Sequence, residues 1–275
     1  MFPNMTRRVL PTLATTGLLL ASTLPAFGAS IVNGGFELQS DGSTSSVVGQ
    51  VDVKTTLQGW TVGGILNSTQ PHPFVFVVDG NADSSGFGSE NSSTTTIKVW
   101  GPGNGVDNGF TGSPDGGNFL GVDGDYAAAP VYQTVTGLTA GDSYTVSFNW
   151  AGSQFTDQTG ATTQWWQVSF GSGASQDTAH TAVDSKGFTG WMSAALTFTA
   201  DSASDVLTFQ AKALPYTAGA PAGLPPFTLL DGVTLTDNTT TTPPPSSTPE
   251  PGTIVMALTG LAGVIGYGRS RANRR

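Results

Sequence analysis

The stretch from Ser143 to Ala151 alternates polar and apolar side chains, and this pattern constrains the fold more than any other feature of the chain. Its apolar members are Tyr144, Val146, Phe148 and Trp150. Successive side chains of a strand point to opposite faces, so this period of two predicts a strand with one buried and one polar face. A helix would instead need apolar residues three and four positions apart. The chain is therefore expected to build a sheet over a core.

Similar short runs recur along the chain between turns rich in Gly, Asp, Asn and Ser. The further predicted strands are 74–78, 96–100, 131–135, 166–170, 196–199, 207–211 and 227–235. Many short strands with turn residues between them, and almost no helical periodicity, are typical of an all-β sandwich. Residues 63–117 also contain long polar segments, which we interpret as ordered loops of the kind that carry function.

The first 29 residues predict a signal peptide. Arg7 and Arg8 precede the apolar run 9–24, and small residues follow at 28–30, where cleavage is expected. Residues 1–29 are therefore excluded from the fold, and residues 30–236 are expected to form one exported domain. A linker rich in Thr and Pro, residues 237–248, follows this domain and is expected to be extended.

The chain ends on three segments in a fixed order. Pro249-Glu250-Pro251 comes first, an uncharged apolar run follows, and an arginine-rich stretch from Arg269 to Arg275 closes the chain. The apolar segment 253–268 predicts a single short transmembrane helix, close to the lower limit for a bilayer span. The arginines orient it with the C-terminus in the cytoplasm and everything upstream outside.

This tail, residues 249–275, resembles the PEP-CTERM sorting signal of Gram-negative bacteria. In that family an exosortase recognises the Pro249-Glu250-Pro251 tripeptide, cuts near it, and releases or transfers the upstream domain. The resemblance implies an exosortase as partner, transient anchoring in the inner membrane, and a final location at the cell surface or in the extracellular matrix. The alternative is an ordinary tail anchor.

Removing the two targeting segments changes the charge of the chain. All six arginines lie in those segments, so the exported part keeps four lysines against 18 acidic residues, a net charge of −14. Such a surface repels nucleic acid and anionic membranes, and suits divalent cations or neutral polymers. The chain has no cysteine, which excludes disulfides and zinc–thiolate sites. Stability must therefore come from a large core, with or without a bound metal.

Several short motifs occur in the order found in one architecture. They are 31–37, 59–60, 117–123, 133–138, 140–148, 190–191 and 230–235, including Asn33-Gly34-Gly35-Phe36-Glu37 and Leu230-Asp231-Gly232-Val233. This order resembles the galactose-binding-like jelly roll of carbohydrate-binding modules and related anchored surface domains. The resemblance implies a β-sandwich that often carries a structural calcium and sometimes binds glycans, and it does not imply an enzyme.

A carboxylate of the closing strand, Asp231, has the same strand parity as the apolar residues Phe227, Leu229, Val233 and Leu235. Asp231 is therefore expected to point toward the core side, where an ionised carboxylate is unfavourable unless it is paired or bound to metal. In the resembled modules, a carboxylate from the Asn-Gly-Phe-Glu strand and one from the closing strand meet at a calcium ion. Glu37 and Asp231 hold those positions here. The alternative is that Glu37 caps a turn and Asp231 accepts hydrogen bonds from backbone amides.

The loop from Asp79 to Glu90 partly matches an EF-hand and defines a second, weaker calcium candidate. Oxygen-bearing residues occupy positions 1, 3, 5 and 12, namely Asp79, Asn81, Asp83 and Glu90. Position 6 is Ser84 rather than glycine, and the flanking stretches indicate strands rather than helices. The alternative is an ordinary polar surface loop.

Glycan binding is predicted at aromatic side chains that turn away from the core. Trp165 has the opposite strand parity to Trp166, Val168 and Phe170. Exposed aromatic rings stack on sugar faces, which makes Trp165 the first candidate. Trp100 and Tyr126, which lie in or beside glycine-containing loops, are weaker ones. The alternative is that Trp165 packs under a long loop.

Catalysis has little support in the sequence. Asp177 and Asp184 lie near His180, but no nucleophile motif accompanies them, and no carboxylate pair can be assigned acid and base roles. We therefore expect a non-catalytic envelope or matrix protein that binds extracellular polysaccharide or acts structurally in a biofilm. Two alternatives remain open: a polysaccharide hydrolase that uses Asp177 or His180, and a structural surface protein without a ligand.

Overall fold

The computed structural model describes residues 28–42, 48–66, 70–88, 96–156, 159–214 and 226–239. The predicted signal peptide, the linker from residue 240 onward and the sorting signal lie outside these residues. Within the described residues, no helix is long and apolar enough to cross a membrane.

The described residues form strands joined by loops and one short 3-10 helix, Pro102–Asn104. The strands are β1 (Gly49–Gln50), β2 (Thr61–Val62), β3 (Val75–Val78), β4 (Phe87–Gly88), β5 (Thr96–Ile97), β6 (Phe119–Val122), β7 (Val131–Thr136), β8 (Ser143–Gln154), β9 (Thr162–Phe170), β10 (Gln176–Asp177), β11 (Thr181–Val183), β12 (Met192–Thr199), β13 (Ser204–Leu214) and β14 (Pro226–Asp237). The predicted all-β class is confirmed.

The strands form two sheets that pack face to face. The larger sheet has the order β12-β8-β14-β6-β3-β1-β4-β5, and the smaller has the order β10-β9-β13-β7-β2, with β11 also paired to β9. From β6 to β14 the long strands alternate between the two sheets, which is the connectivity of a jelly roll. The stretch predicted as a strand at 96–100 is shorter than expected, because Val99 forms only an isolated bridge with Phe155.

Around β3 and β6, the larger sheet is buried on both faces. Val75 and Val77 of β3 pack into the core between the sheets, whereas Phe76 and Val78 pack into a second apolar cluster on the outer face. Side chains from the long loops complete that outer cluster, among them Phe110. This double burial explains why β3 is apolar throughout rather than alternating.

The strand parity assumed for β14 is wrong beyond Asp231. Asp231 pairs with Asn149, but the next paired residue is Thr234, opposite Ser147, so β14 has a bulge. Gly232 lies in this bulge with a φ of 60°, a conformation that glycine adopts without strain. Leu230 and Val233 consequently face the inter-sheet core, while Phe227 and Leu229 face the outer cluster. Asp231 therefore points to the outer face of the larger sheet and not between the sheets.

Candidate functional site

Three carboxylates, Glu37, Asp115 and Asp231, lie close together where the N-terminal segment crosses the bulge of β14. A Cβ added to Gly35 would lie 3.2 Å from Asp115 Oδ2 and 3.9 Å from Asp231 Oδ1. The structure thus brings the predicted pair Glu37 and Asp231 into one neighbourhood. Sequence reasoning missed Asp115, because its position depends on how the long loop before β6 folds over the sheet.

Close backbone packing positions Glu37. The Gly34 carbonyl accepts a hydrogen bond from the Val233 amide (3.0 Å), and a Cβ at Gly34 would collide with the Val233 carbonyl. Phe36 is fully buried with a φ of 57°, an uncommon conformation for a bulky residue. Its ring packs against Trp60, with centroids 5.3 Å apart. These contacts hold the strained turn that directs Glu37 toward the loop before β6.

The two members of the predicted pair have different partners. The Glu37 carboxylate accepts a hydrogen bond from the Asn118 amide at 2.5 Å, which agrees with the alternative in which Glu37 caps a turn. Asp231 is fully buried, and neither of its carboxylate oxygens has a hydrogen-bond partner among the described residues. The Ser113 hydroxyl and the Gly232 amide are close enough to favour the ionised form, but neither meets hydrogen-bond geometry. Asp231 thus does not follow the backbone-bonded alternative.

The electrostatic environment of Asp231 disfavours its negative charge. Burial raises the pKa of Asp231 to about 7, and the negative charges of Asp115 and Glu37 act in the same direction. Burial also raises the pKa of Glu37, although its hydrogen bond from Asn118 opposes this effect. A buried carboxylate without partners is neutralised either by a proton or by a cation.

These residues fit a calcium ion in part. Carboxylate oxygens are suitable ligands, and the two unpartnered oxygens of Asp231 are what a bound cation would satisfy. However, no three His, Cys, Asp or Glu side chains in the described part of the chain are arranged to hold one ion together. Because calcium takes six to eight oxygens, main-chain carbonyls or water would have to complete its coordination.

The loop that resembles an EF-hand uses its carboxylates for hydrogen bonds to other residues. Asp79 Oδ1 accepts from the Asn81 amide (2.8 Å) and the Ser85 hydroxyl (2.9 Å). Asp83 Oδ2 accepts from the Gly103 amide at 2.6 Å. Glu90 lies outside the described residues, so the second calcium site remains a prediction. The bonds of Asp79 and Asp83 favour the alternative of a polar surface loop.

Trp165 turns away from the core, as predicted, but its side chain is half-buried, and its indole N–H is buried without a partner among the described residues. Trp166, Val168 and Phe170 are all fully buried. The imidazole of His180 stacks on the Trp165 indole, with ring centroids 3.9 Å apart and planes 14° apart. Both β10 and β11 pair with β9, and their connection carries His180 over Trp165. The alternative in which Trp165 packs under a loop is therefore correct for one face of the indole.

Trp165 also lines a cleft of about 360 Å³ on the outer face of the smaller sheet. The cleft is bordered by Leu66 and Leu214, which are 63% and 48% exposed. Lys212 lines it as well and lies directly opposite Trp165 in the pairing of β13 with β9. Sequence reasoning missed these three residues. The outward parity of Lys212 on its strand could have identified it, whereas the position of Leu66 depends on loop packing.

A buried aspartate fixes the loop that forms one wall of the cleft. Asp123 Oδ1 accepts hydrogen bonds from the amides of Asp125 (2.7 Å) and Tyr126 (2.8 Å). Its other oxygen is buried without a partner in the described residues, and burial raises the pKa of Asp123 well above its ordinary value. Gly124 then lies directly on β13, since a Cβ there would come within 2.8 Å of the main chain of Lys212.

The other two aromatic candidates are in contact with protein groups of their own. The Lys186 ammonium lies 4.6 Å above the Trp100 ring centroid, a cation–π contact that covers this face. Tyr126 is half-buried and packs edge-on against Phe74, with centroids 5.5 Å apart. Neither aromatic lines the cleft at Trp165.

The candidate catalytic pair is exposed. His180 Nε2 lies 3.2 Å from Asp177 Oδ2, and the two side chains are 48% and 35% exposed. An ion pair with this exposure contributes little to stability. The main contact of His180 is its stack on Trp165.

No protein-family model and no curated protein matches this chain. Solved structures with a similar arrangement include a family 61 carbohydrate-binding module in complex with β-1,4-galactotriose, at 15% identity, covering 65% of this chain and 88% of that one, with a TM-score of 0.32. A family 16 carbohydrate-binding module has 14% identity over 75% of this chain and 99% of its own, with a TM-score of 0.31.

A xylan-binding domain from Paenibacillus barcinonensis has 12% identity, covers 76% of this chain and 94% of its own, and has a TM-score of 0.32. A xylanase of Clostridium thermocellum, which joins a carbohydrate-binding module to a catalytic module, is matched over only 28% of its length, at 14% identity over 75% of this chain and a TM-score of 0.34. At these identities and TM-scores, the similarity transfers neither a ligand nor an activity to this chain.

Proposed function

We propose that this chain is an exported, non-catalytic protein that binds glycan in the cleft lined by Trp165. The observation that carries the proposal is a half-buried, outward-facing indole in a cleft bordered by Leu66 and Leu214. Indole rings bind sugar faces by stacking and desolvation, and the size of the cleft is in the range of small-ligand sites. The two exposed leucines provide apolar surface that a bound saccharide would cover.

Replacing Trp165 by alanine is expected to abolish or strongly weaken glycan binding. Loss of a central aromatic contact removes about 2 kcal/mol of binding free energy, or roughly thirtyfold in affinity. A glycan array would identify ligands of the unmodified protein, and titration calorimetry would then compare the variants. Trp100→Ala is the matched control, since it removes an indole outside the cleft and is expected to retain binding. Unchanged affinity in Trp165→Ala would contradict the assignment of the cleft.

We also propose that calcium acts as a structural cofactor at Glu37 and Asp231, with Asp115 in the same neighbourhood. The support is the fully buried Asp231 carboxylate, which has no partner at hydrogen-bond geometry in the part of the chain that the structure describes. Bound calcium would compensate this charge and join the N-terminal segment to β14. This site lies on the larger sheet, whereas the cleft lies on the smaller one. Calcium bound there would stabilise the sandwich and would not contact the ligand in the cleft.

Export and processing form the third part of the proposal. The support is the sequence alone. The N-terminus has the pattern of a signal peptide, and at the C-terminus Pro249-Glu250-Pro251 is followed by an apolar segment and then by arginines. The segment 253–268 is short, and its glycines lower its hydrophobicity, so it is a poor permanent anchor. We therefore propose transient anchoring in the inner membrane, cleavage by an exosortase, and delivery to the cell surface or to an exopolysaccharide matrix.

Glu250→Ala is expected to keep the sandwich joined to its C-terminal tail. In exosortase-containing cells, an antibody to the sandwich and a tag placed after Arg275 should separate into different fractions for the unmodified chain, because cleavage parts them. In the variant, both signals should stay together in the membrane. If the two signals remain joined in the unmodified chain as well, the tail is an ordinary anchor and the sorting proposal fails.

A further inference from the structure

The cleft contains a cationic side chain beside its aromatic surface. Lys212 is paired with Trp165 across neighbouring strands, and both turn to the outer face of the smaller sheet. The adjacent residues Ala211 and Ala213 are buried, which fixes this outward direction. Lys212 is itself half-buried, and it lines the same cleft as Trp165. Any saccharide that stacks on the indole would therefore lie next to the lysine side chain.

The charge at this position contrasts with the rest of the exported part. The exported part contains only four lysines and 18 acidic residues, which gives it a net charge of −14. Lys212 nevertheless forms no ion pair within the described residues. The exported part is thus acidic overall, yet this cleft contains an ammonium group that has no ion pair among the described residues.

An ammonium group without an ion pair among the described residues limits which ligand can bind in the cleft. A neutral sugar lying on Trp165 would remove further water from Lys212 without supplying a counter-charge, which is unfavourable. A ligand carboxylate would instead accept charge-assisted hydrogen bonds from the ammonium, which are roughly twice as strong as neutral ones. The other lysine next to an indole, Lys186, already lies over the ring of Trp100, so that pair is arranged differently.

We propose, on the basis of the glycan-binding function above, that this cleft selects saccharides that carry carboxylates, such as uronic acid units. Trp165 stacks on the sugar ring, and Lys212 pairs with the carboxylate. Leu66 and Leu214 cover the apolar edges of the ring. The overall negative charge of the domain repels polyanions at long range, so recognition depends on the close contact with Lys212 and on screening by salt.

The test compares short oligouronates with the same oligosaccharides after chemical reduction of their carboxyl groups. Galacturonate, glucuronate and mannuronate trimers, each with its reduced partner, are titrated into the purified full-length protein at fixed calcium concentration. At least one uronate is expected to bind about tenfold or more tightly than its reduced partner, in line with a charge-assisted contact. Short trimers are used because long polyuronates gel with calcium.

Variants at Lys212 test whether the preference for uronate over its reduced partner depends on the positive charge of this side chain. Lys212→Gln is expected to remove the preference for the uronate while the affinity for the reduced trimer stays unchanged, and Lys212→Arg is expected to restore it. Lys54→Gln is the matched control, because this substitution also removes one positive charge. Lys54 is exposed and lies next to Gly49 and Gly88 on the larger sheet, outside the cleft. Equal loss of preference in Lys54→Gln would overturn the proposal.

The outcomes separate this proposal from the broader one. If both members of every pair bind equally well and Trp165→Ala weakens both, the cleft binds neutral glycan and the uronate proposal is wrong. If no trimer binds and a glycan array finds no ligand that depends on Trp165, both the uronate proposal and the glycan-binding function are wrong. A preference for uronate that persists in Lys212→Gln would also overturn the role of Lys212.

Discussion

Trp166→Ala is expected to lower the free energy of unfolding by about 3–5 kcal/mol, the usual effect of truncating a large aromatic residue in a core. Trp166 is fully buried between the sheets, and its ring packs edge-on against Phe209 with centroids 5.8 Å apart. Its indole N–H donates a hydrogen bond to the Leu229 carbonyl at 3.0 Å. Truncation would leave both a cavity and a buried carbonyl without its donor.

The neighbouring residue provides a control with the same chemical change. Trp165→Ala removes a half-buried indole from the opposite face of β9 and is expected to lower stability by no more than about 1–2 kcal/mol, less than a core truncation. Urea unfolding of both variants, followed by circular dichroism, measures the difference. Because a shift of one residue in strand register exchanges the two faces, equal destabilisation by the two substitutions would contradict the assigned register of β9.

Without calcium, the protein is expected to lose stability as the pH rises from about 4 to about 7. The pKa of Asp231 is about 7 in the folded chain, against an ordinary value near 4 in the unfolded chain. The folded state therefore binds more protons than the unfolded state across this interval, and the free energy of unfolding falls as those protons leave. The full shift corresponds to at most about 4 kcal/mol.

Calcium is expected to reverse this loss, because it replaces the proton as the partner of the buried carboxylate. Binding to the folded state alone adds roughly 2.7 kcal/mol at a hundredfold excess over Kd. Melting temperatures at pH 5 and pH 8, each with chelator or with calcium, measure the effect. We expect a calcium response of several degrees at pH 8 and a much smaller one at pH 5.

Asp231→Asn separates this site from other titrating groups. The amide has the size of the carboxylate but no charge, so the calcium response at pH 8 should disappear and the pH dependence should become shallower. A residual slope is expected, since burial also raises the pKa of Glu37 and of Asp123. If calcium leaves the melting temperature of the unmodified protein unchanged at pH 8, the calcium proposal is wrong.

The sequence predicted the regular parts of the fold because their signal is local. β8 alternates buried and half-buried residues from Ser143 to Trp150, as the period of two requires. β14 illustrates the limit of this reasoning. Phe227, Leu229 and Asp231 share one face of the strand, as the period of two predicts. The bulge at Gly232 turns Val233 to the opposite face. Nothing in the strand itself distinguishes a glycine in a bulge from a glycine in a regular position.

The candidate sites were only partly predictable for a related reason. The outward direction of Trp165 follows from its neighbours on β9, whereas the stack of His180 depends on the pairing of two short strands, β10 and β11. Asp115 and Leu66 lie on loops, and they reach their sites through contacts with residues distant in the sequence. Such contacts leave no periodic pattern.

Two-dimensional NMR of the six tryptophan indoles tests the location of the glycan site most directly. The protein labelled with 15N is titrated with a saccharide that it binds, and the Trp165→Phe variant identifies the Trp165 signal. The Trp165 indole resonance is expected to shift progressively with ligand, while those of the core residue Trp166 and of Trp100 stay nearly unchanged. A stationary Trp165 signal, together with a shift at Trp100, would contradict binding in the cleft.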